Sequence, residues 1–187
     1  MGRCRETQPR VKLFFALMTR RAELFQECER ELAEEFGPMD PRGEPYDFDQ
    51  FTDYYAEEFG TGLRKCFVAV KELIAPEELV AVKRRANDIE QCFARRGRPE
   101  ASNHPRLINI DPGYLSLSKV VLATTKDQAH RLYMGNGIFE EVTLTYRKSA
   151  GGFQPNPWTY PDYRTPERLQ FFNRLREAYH RQLQAAE

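Results

Sequence analysis

Residues 11–18, Val-Lys-Leu-Phe-Phe-Ala-Leu-Met, are apolar at almost every position. Such a run suits a central strand buried on both faces. Phe25, Cys28, Leu32 and Phe36 then recur at helical spacing, which predicts a helix over about 20–36 that Gly37-Pro38 stops. Residues 38–46 are rich in proline and read as a loop. Phe48, Phe51, Tyr54 and Tyr55 form an aromatic cluster before Gly60. A strand follows at about 65–71. Pro76 opens a second helix with Glu77 and Glu78 in its first turn, where the helix dipole favours anions. Its apolar stripe is Leu79, Val82, Ala86, Ile89 and Phe93, and it runs to about Arg95.

Beyond a basic loop at 95–105 the period changes from helical to two. Residues 106–111, 117–125, 129–134 and 138–147 read as strands, punctuated by Pro112-Gly113 and by the hairpin signal Gly135-Asn136-Gly137. Residues 149–165 form an irregular aromatic and proline segment. A C-terminal helix at 165–184 buries Phe172, Leu175 and Tyr179. The expected fold is α+β: residues 1–187 form one domain with a single, mainly antiparallel sheet and helices packed on one face. Residues 1–10 are expected to be a flexible N-terminus.

Composition narrows the function classes. The 187 residues include 28 Lys plus Arg and 28 Asp plus Glu, a formal net charge of zero. That balance argues against partners held by bulk electrostatics, such as duplex nucleic acid or an anionic membrane. No apolar run approaches the ~18 residues of a membrane span. The stretch at 11–18 ends at Thr19-Arg20-Arg21 without a small-residue cleavage site, so the expected location is cytoplasmic. Cys4, Cys28, Cys66 and Cys92 have no metal-binding spacing and read as free thiols, the last three buried. His104, His130 and His180 are the only histidines, which argues against a multi-histidine metal site. No phosphate loop, dinucleotide fingerprint, nucleophile elbow or His-Glu-x-x-His motif occurs.

Candidate chemistry comes from polar residues placed where elements should be buried. In the strand at 107–111, Asn109 and Asp111 share the face opposite Ile108 and Ile110. Both are poor strand formers, although Asp111-Pro112-Gly113 is also turn chemistry. Lys126, His130 and Arg131 sit at a hairpin end with Thr124 and Thr125, a group of cations and hydroxyls that suits phosphate or carboxylate. Glu141 shares a strand face with Thr143 and can pair with Arg131 across the sheet. On the second helix, Lys83, Asn87 and Glu90 border the apolar stripe at spacings of four and three, so they form one row that can meet the polar sheet face. Tyr163 and Asp162 are the polar groups of the segment at 158–163.

Several strings resemble a known family. They are Pro9-Arg-Val-Lys-Leu-Phe14, Phe51-Thr-Asp-Tyr-Tyr55, Glu58-Phe-Gly60, Asn109-Ile-Asp-Pro-Gly-Tyr114, the Lys-Asp-x-x-His-Arg-Leu-Tyr string at 126–133, and Trp158-Thr-Tyr-Pro-Asp-Tyr163. Nearly the whole chain resembles the bacterial domain of unknown function 4416 family. The resemblance implies a single-domain bacterial protein and supplies no reaction.

Two functions fit these residues. The first is a small-ligand-binding protein or enzyme acting on an anionic, phosphate-containing substrate. Asn109, Lys126, Arg131, Lys83, Asn87, Glu90 and Tyr163 would bind it, His130 would be the general acid or base, and Asp111 and Glu141 would be catalytic carboxylates able to hold Mg²⁺. This reading requires the residues to converge in one cleft. The alternative is a non-catalytic protein-interaction module that uses an aromatic surface of Phe48, Phe51, Tyr54, Tyr55, Trp158, Tyr160 and Tyr163.

Overall fold

The computed structural model of the chain describes residues 8–96 and 106–185. Residues 1–7, with Cys4 and most of the expected N-terminal tail, lie outside that range, as do 97–105 with Arg98 and His104. The strands are β1 (Val11–Thr19), β2 (Tyr46–Asp47), β3 (Arg64–Ile74), β4 (Asn109–Leu115), β5 (Lys119–Thr124), β6 (Leu132–Gly135), β7 (Ile138–Arg147) and β8 (Gly152–Pro155). The helices are α1 (Glu23–Phe36), the single turn α2 (Ala56–Phe59), α3 (Leu79–Arg96) and α4 (Pro166–Ala185).

One open antiparallel sheet has the order β2-β3-β1-β4-β5-β7-β6, with β8 also pairing β7. β1 is an interior strand, flanked by β3 and β4, and is buried at all nine positions, as a run apolar on both faces requires. The fold is α+β with a single antiparallel sheet. The helices, however, do not share one face. Leu13, Phe15 and Leu17 of β1 pack against α1 and α3, through Phe25, Cys28, Leu32, Val82, Ala86 and Ile89. Phe14 and Ala16 of the same strand pack against α4 through Phe172, Leu175 and Tyr179. A strand apolar on both faces needs both covered, and α4 covers the second.

Local departures from the sequence pattern have identifiable causes. Pro112-Gly113 is no turn, because β4 runs through it. A Cβ on Gly113 would lie 2.5 Å from the Val121 carbonyl oxygen and 2.6 Å from Cζ of Phe14. The glycine therefore serves close packing of strands rather than chain reversal. β7 carries a bulge: Val121 lies opposite Val142, whereas Val120 lies opposite Leu144. Thr143 is the extra residue, so Val142 packs on the α3 face and Leu144 on the α4 face, and the strict alternation expected along 138–146 fails there. The return strand begins at Leu132, so His130 and Arg131 lie in the turn before it. The segment 149–165 contains β8 and two 3₁₀ turns rather than only irregular chain. Cys28 and Cys66 are buried free thiols, but Cys92 is half-exposed. No helix among the described residues is long and apolar enough to cross a membrane.

Candidate functional site

β4 is flanked unequally. Its pairing with β1 spans Asn109 to Leu115. Its pairing with β5 spans only Gly113 to Leu115, opposite Leu122 to Val120. Beyond Gly113 and Leu122 the two strands part, leaving one edge of Asn109–Pro112 and of Ala123–Thr124 without a strand neighbour. A cavity of about 410 Å³ opens at this end of the sheet. The strand ends contribute Asn109 and Asp111 from β4, Leu122 to Thr124 of β5 with Thr125 and Lys126 after it, Glu141 from β7 and Lys65 from β3. Lys83 and Asn87 of α3 line it from one side, the aromatic segment 48–55 from another, and Tyr160 to Tyr163 from a third.

Eight of the ten residues picked out from the sequence line this one cavity: Asp111, Glu141, Asn109, Lys126, Arg131, Lys83, Asn87 and Tyr163. His130 and Glu90 stand behind the wall. Nε2 of His130 lies 2.9 Å from Glu141 Oε2, and its ring stacks on Trp158 at 5.5 Å. Glu90 accepts hydrogen bonds from the Ile110 amide at 2.7 Å and from Arg106 at 2.6 Å. Both therefore hold lining residues in place.

The lining charges are mostly paired. Asp111 lies opposite Ala16 of β1, hence on the α4 face of the sheet, while Lys83 rises from α3 on the other. Their ion pair, 2.8 Å long, passes through the opening between β4 and β5. Lys83 also donates to the Ile110 carbonyl, and the Asn109 amide donates to Asp111 Oδ2 at 2.6 Å. Burial works against the Asp111 charge, but the Lys83 ammonium and these hydrogen bonds outweigh it and hold the carboxyl below its ordinary value. Its side chain remains 35% exposed. Burial pushes the Glu90 carboxyl up, against the pull of Lys83 and Arg106.

Glu141, with a side chain only 1% exposed, accepts from Arg131 Nε at 2.7 Å and from Thr143. The expected cross-sheet pair with Arg131 is thus present. Arg131 also donates to the Lys126 carbonyl and to the Tyr160 hydroxyl. Lys65 donates to Asp162 at 2.7 Å, and the Tyr46 hydroxyl donates to the same oxygen at 2.8 Å. The Tyr163 hydroxyl is buried without a hydrogen-bond partner among the described residues.

Lys126 differs from the other lining cations. It is exposed, donates to the Tyr54 hydroxyl at 3.1 Å, and lies 4.4 Å from the centre of the Tyr54 ring. No carboxylate pairs with it among the described residues. Thr124, Thr125, Gln128 and Arg131 line the cavity near it in sequence.

Mg²⁺ on Asp111 and Glu141 would have to displace existing partners, since Lys83 and Asn109 hold the first and Arg131, His130 and Thr143 the second. Among the described residues no group of three or more His, Cys, Asp or Glu is arranged to hold a metal ion.

Lys65, Arg106 and Tyr160 were not picked out as ligand-binding residues. Lys65 opens a strand whose next five residues are buried, and a lysine in that position was the available signal. Arg106 carried none, because its partners Glu58, Glu90 and Asn109 come from three separate segments. The aromatic residues assigned to an interaction surface split. Phe48 and Tyr163 are buried, whereas Tyr54, Trp158 and Tyr160 are exposed.

Neither the curated proteins nor the solved structures contain a match to this chain. A family model does match, over residues 9–179, and the chain therefore belongs to the family described as Domain of unknown function (DUF4416).

Proposed function

We propose that the cavity between β4 and β5 binds a small anionic, phosphate-bearing ligand. The observation that carries this reading is Lys126, a cation without a carboxylate partner in a cavity whose other cations are neutralised. An ammonium has three donors. One is used by Tyr54, so the others are free for a phosphate, and Thr124 and Thr125 line the same cavity. The cavity volume falls within the range of small-molecule sites. If chemistry follows binding, Asp111 is its proton acceptor, because it is ionised and open to the cavity. His130 acts through Glu141, which it orients together with Arg131.

Thermal unfolding of the full chain against inorganic phosphate, nucleotides and sugar phosphates tests the reading. A ligand of the native state stabilises by about 2.7 kcal/mol at 100 times its dissociation constant. The expected result is a rise in midpoint that Lys126→Ala abolishes. A rise that survives in Lys126→Ala, or no rise with any phosphate compound, contradicts it. The second outcome would favour the protein-interaction module, for which exposed Tyr54, Trp158 and Tyr160 are the supporting residues.

A further inference from the structure

The groups with capacity left for a ligand differ between the two ends of the cavity. At the Lys126 end they are the Lys126 ammonium with Thr124 and Thr125, since Arg131 and Glu141 pair with each other. At the α3–β4 end they are Asp111, Asn109 and Asn87, since Lys83 is paired with Asp111, and Arg106 with Glu58 and Glu90. Asp111 is ionised, and a carboxylate has about four acceptor sites. Lys83 and Asn109 each fill one, and the side chain is still 35% exposed. The Asn87 amide has no hydrogen-bond partner among the described residues, so it offers donors and an acceptor to the same space. The buried, unpartnered hydroxyl of Tyr163 lies in the wall as well. Polar groups left unsatisfied at a buried site cost free energy, and a bound ligand can supply the missing partners.

A second anion at this end would meet the charge of Asp111. The groups that suit it are neutral, donate to the carboxylate, and both donate to and accept from Asn87. Hydroxyls do all of these. The aromatic wall gives a flat heterocycle less than its composition implies. Lys65 lies 4.9 Å from the centre of the Phe48 ring and 4.7 Å from that of Tyr163. Lys126 lies 4.4 Å from Tyr54 and 5.4 Å from Tyr55. One face of each of these four rings is thus covered by an ammonium, for which a stacked base would compete, which leaves Phe51 and Tyr160 as the lining rings without one.

We infer that the cavity takes a monophosphorylated sugar or polyol, with its phosphate at Lys126 and its hydroxyls at Asp111, Asn109 and Asn87. This inference rests on the phosphate reading above and adds the chemistry of the ligand's other end.

Isothermal titration of the full chain tests it with ribose 5-phosphate, glucose 6-phosphate, the two unphosphorylated sugars, inorganic phosphate and AMP. At least one sugar phosphate should bind ten-fold or more tighter than inorganic phosphate. That advantage should shrink in Asp111→Asn and vanish in Asn87→Ala, and Asn87→Ala should bind inorganic phosphate as the wild type does. Asn87→Ala removes no hydrogen bond within the described residues, so it reports on the ligand even if Asp111→Asn unfolds. Two outcomes overturn the inference and leave the phosphate site standing. One is sugar phosphates binding no tighter than phosphate. The other is AMP binding ten-fold or more tighter than ribose 5-phosphate. Failure of every phosphate compound to bind removes the phosphate reading itself, and this inference with it.

Discussion

The two flanks of β4 form a natural experiment within one strand. On the β1 side, seven residues are zipped into a ladder from Lys12–Leu115 to Met18–Asn109. On the β5 side, three are paired and the rest face a gap. Buried lysines stand near both flanks. Lys12, on the sealed side, pairs with Asp40 at 2.9 Å and donates to the Lys71 carbonyl. Lys83 reaches into the gap and pairs with an Asp111 that remains partly open. A buried ion pair is therefore a structural solution in one place and part of a cavity wall in the other. What separates them is the missing strand neighbour, not the charges.

The comparison can be broken most severely at Glu141, which joins Arg131 and His130 beside the gap. Glu141→Ala leaves a buried guanidinium unpaired and should lower stability by about 3–5 kcal/mol in denaturant unfolding. Gly113 marks where the ladder stops. Its alanine variant must push against the Val121 carbonyl and the Phe14 ring, and should cost about 3 kcal/mol by the same measurement. A cost near zero would mean that β4 and β5 are not held in such close contact.

A smaller effect distinguishes Glu140 from its neighbour in β7. Burial pushes the Glu140 carboxyl up to about 6 from 4.5, and Lys119 only partly offsets this. The folded state thus holds its proton more tightly than the unfolded chain. Stability falls as pH rises from 4.5 through 6 and is then level. Glu140→Gln should stabilise by about 1 kcal/mol at pH 7, the full linkage value being roughly halved by solvent screening. The gain should disappear below pH 4.5 in unfolding titrations. The smallest stability change is expected at Lys126. Lys126→Ala should stay within about 0.5 kcal/mol of the wild type, yet lose its phosphate binding by titration.

Much of this arrangement was legible in the sequence. The apolar run at 11–18 identified the central strand, and the spacing of Lys83, Asn87 and Glu90 placed a polar row beside the α3 core stripe. The period-two reading put Asn109 and Asp111 on one face. Other features lay beyond local pattern. The side on which α4 packs depends on tertiary contacts, although a β1 apolar on both faces implied two faces to cover. The bulge at Thr143 inverts the later half of β7 and leaves no trace in alternation until the register is known. Pro112-Gly113 has the composition of a turn, and only the approach of Val121 and Phe14 explains it as strand. His130 was placed at the site by its chemistry and by its nearness to Arg131 in sequence. In the fold, Glu141 stands between it and the cavity.

The central claim is that the gap between β4 and β5 is an anion site. An amide NMR titration of the full chain with inorganic phosphate tests it most directly, because a second, shallower cavity lined by Arg10 and Lys71 lies elsewhere on the molecule and serves as an internal rival. The account predicts saturable shifts at residues 124–128, with smaller ones at Asn87 and residues 109–111, and no change around Arg10 and Lys71. Shifts confined to the Arg10–Lys71 region, or no saturable shift at 124–128, would contradict it.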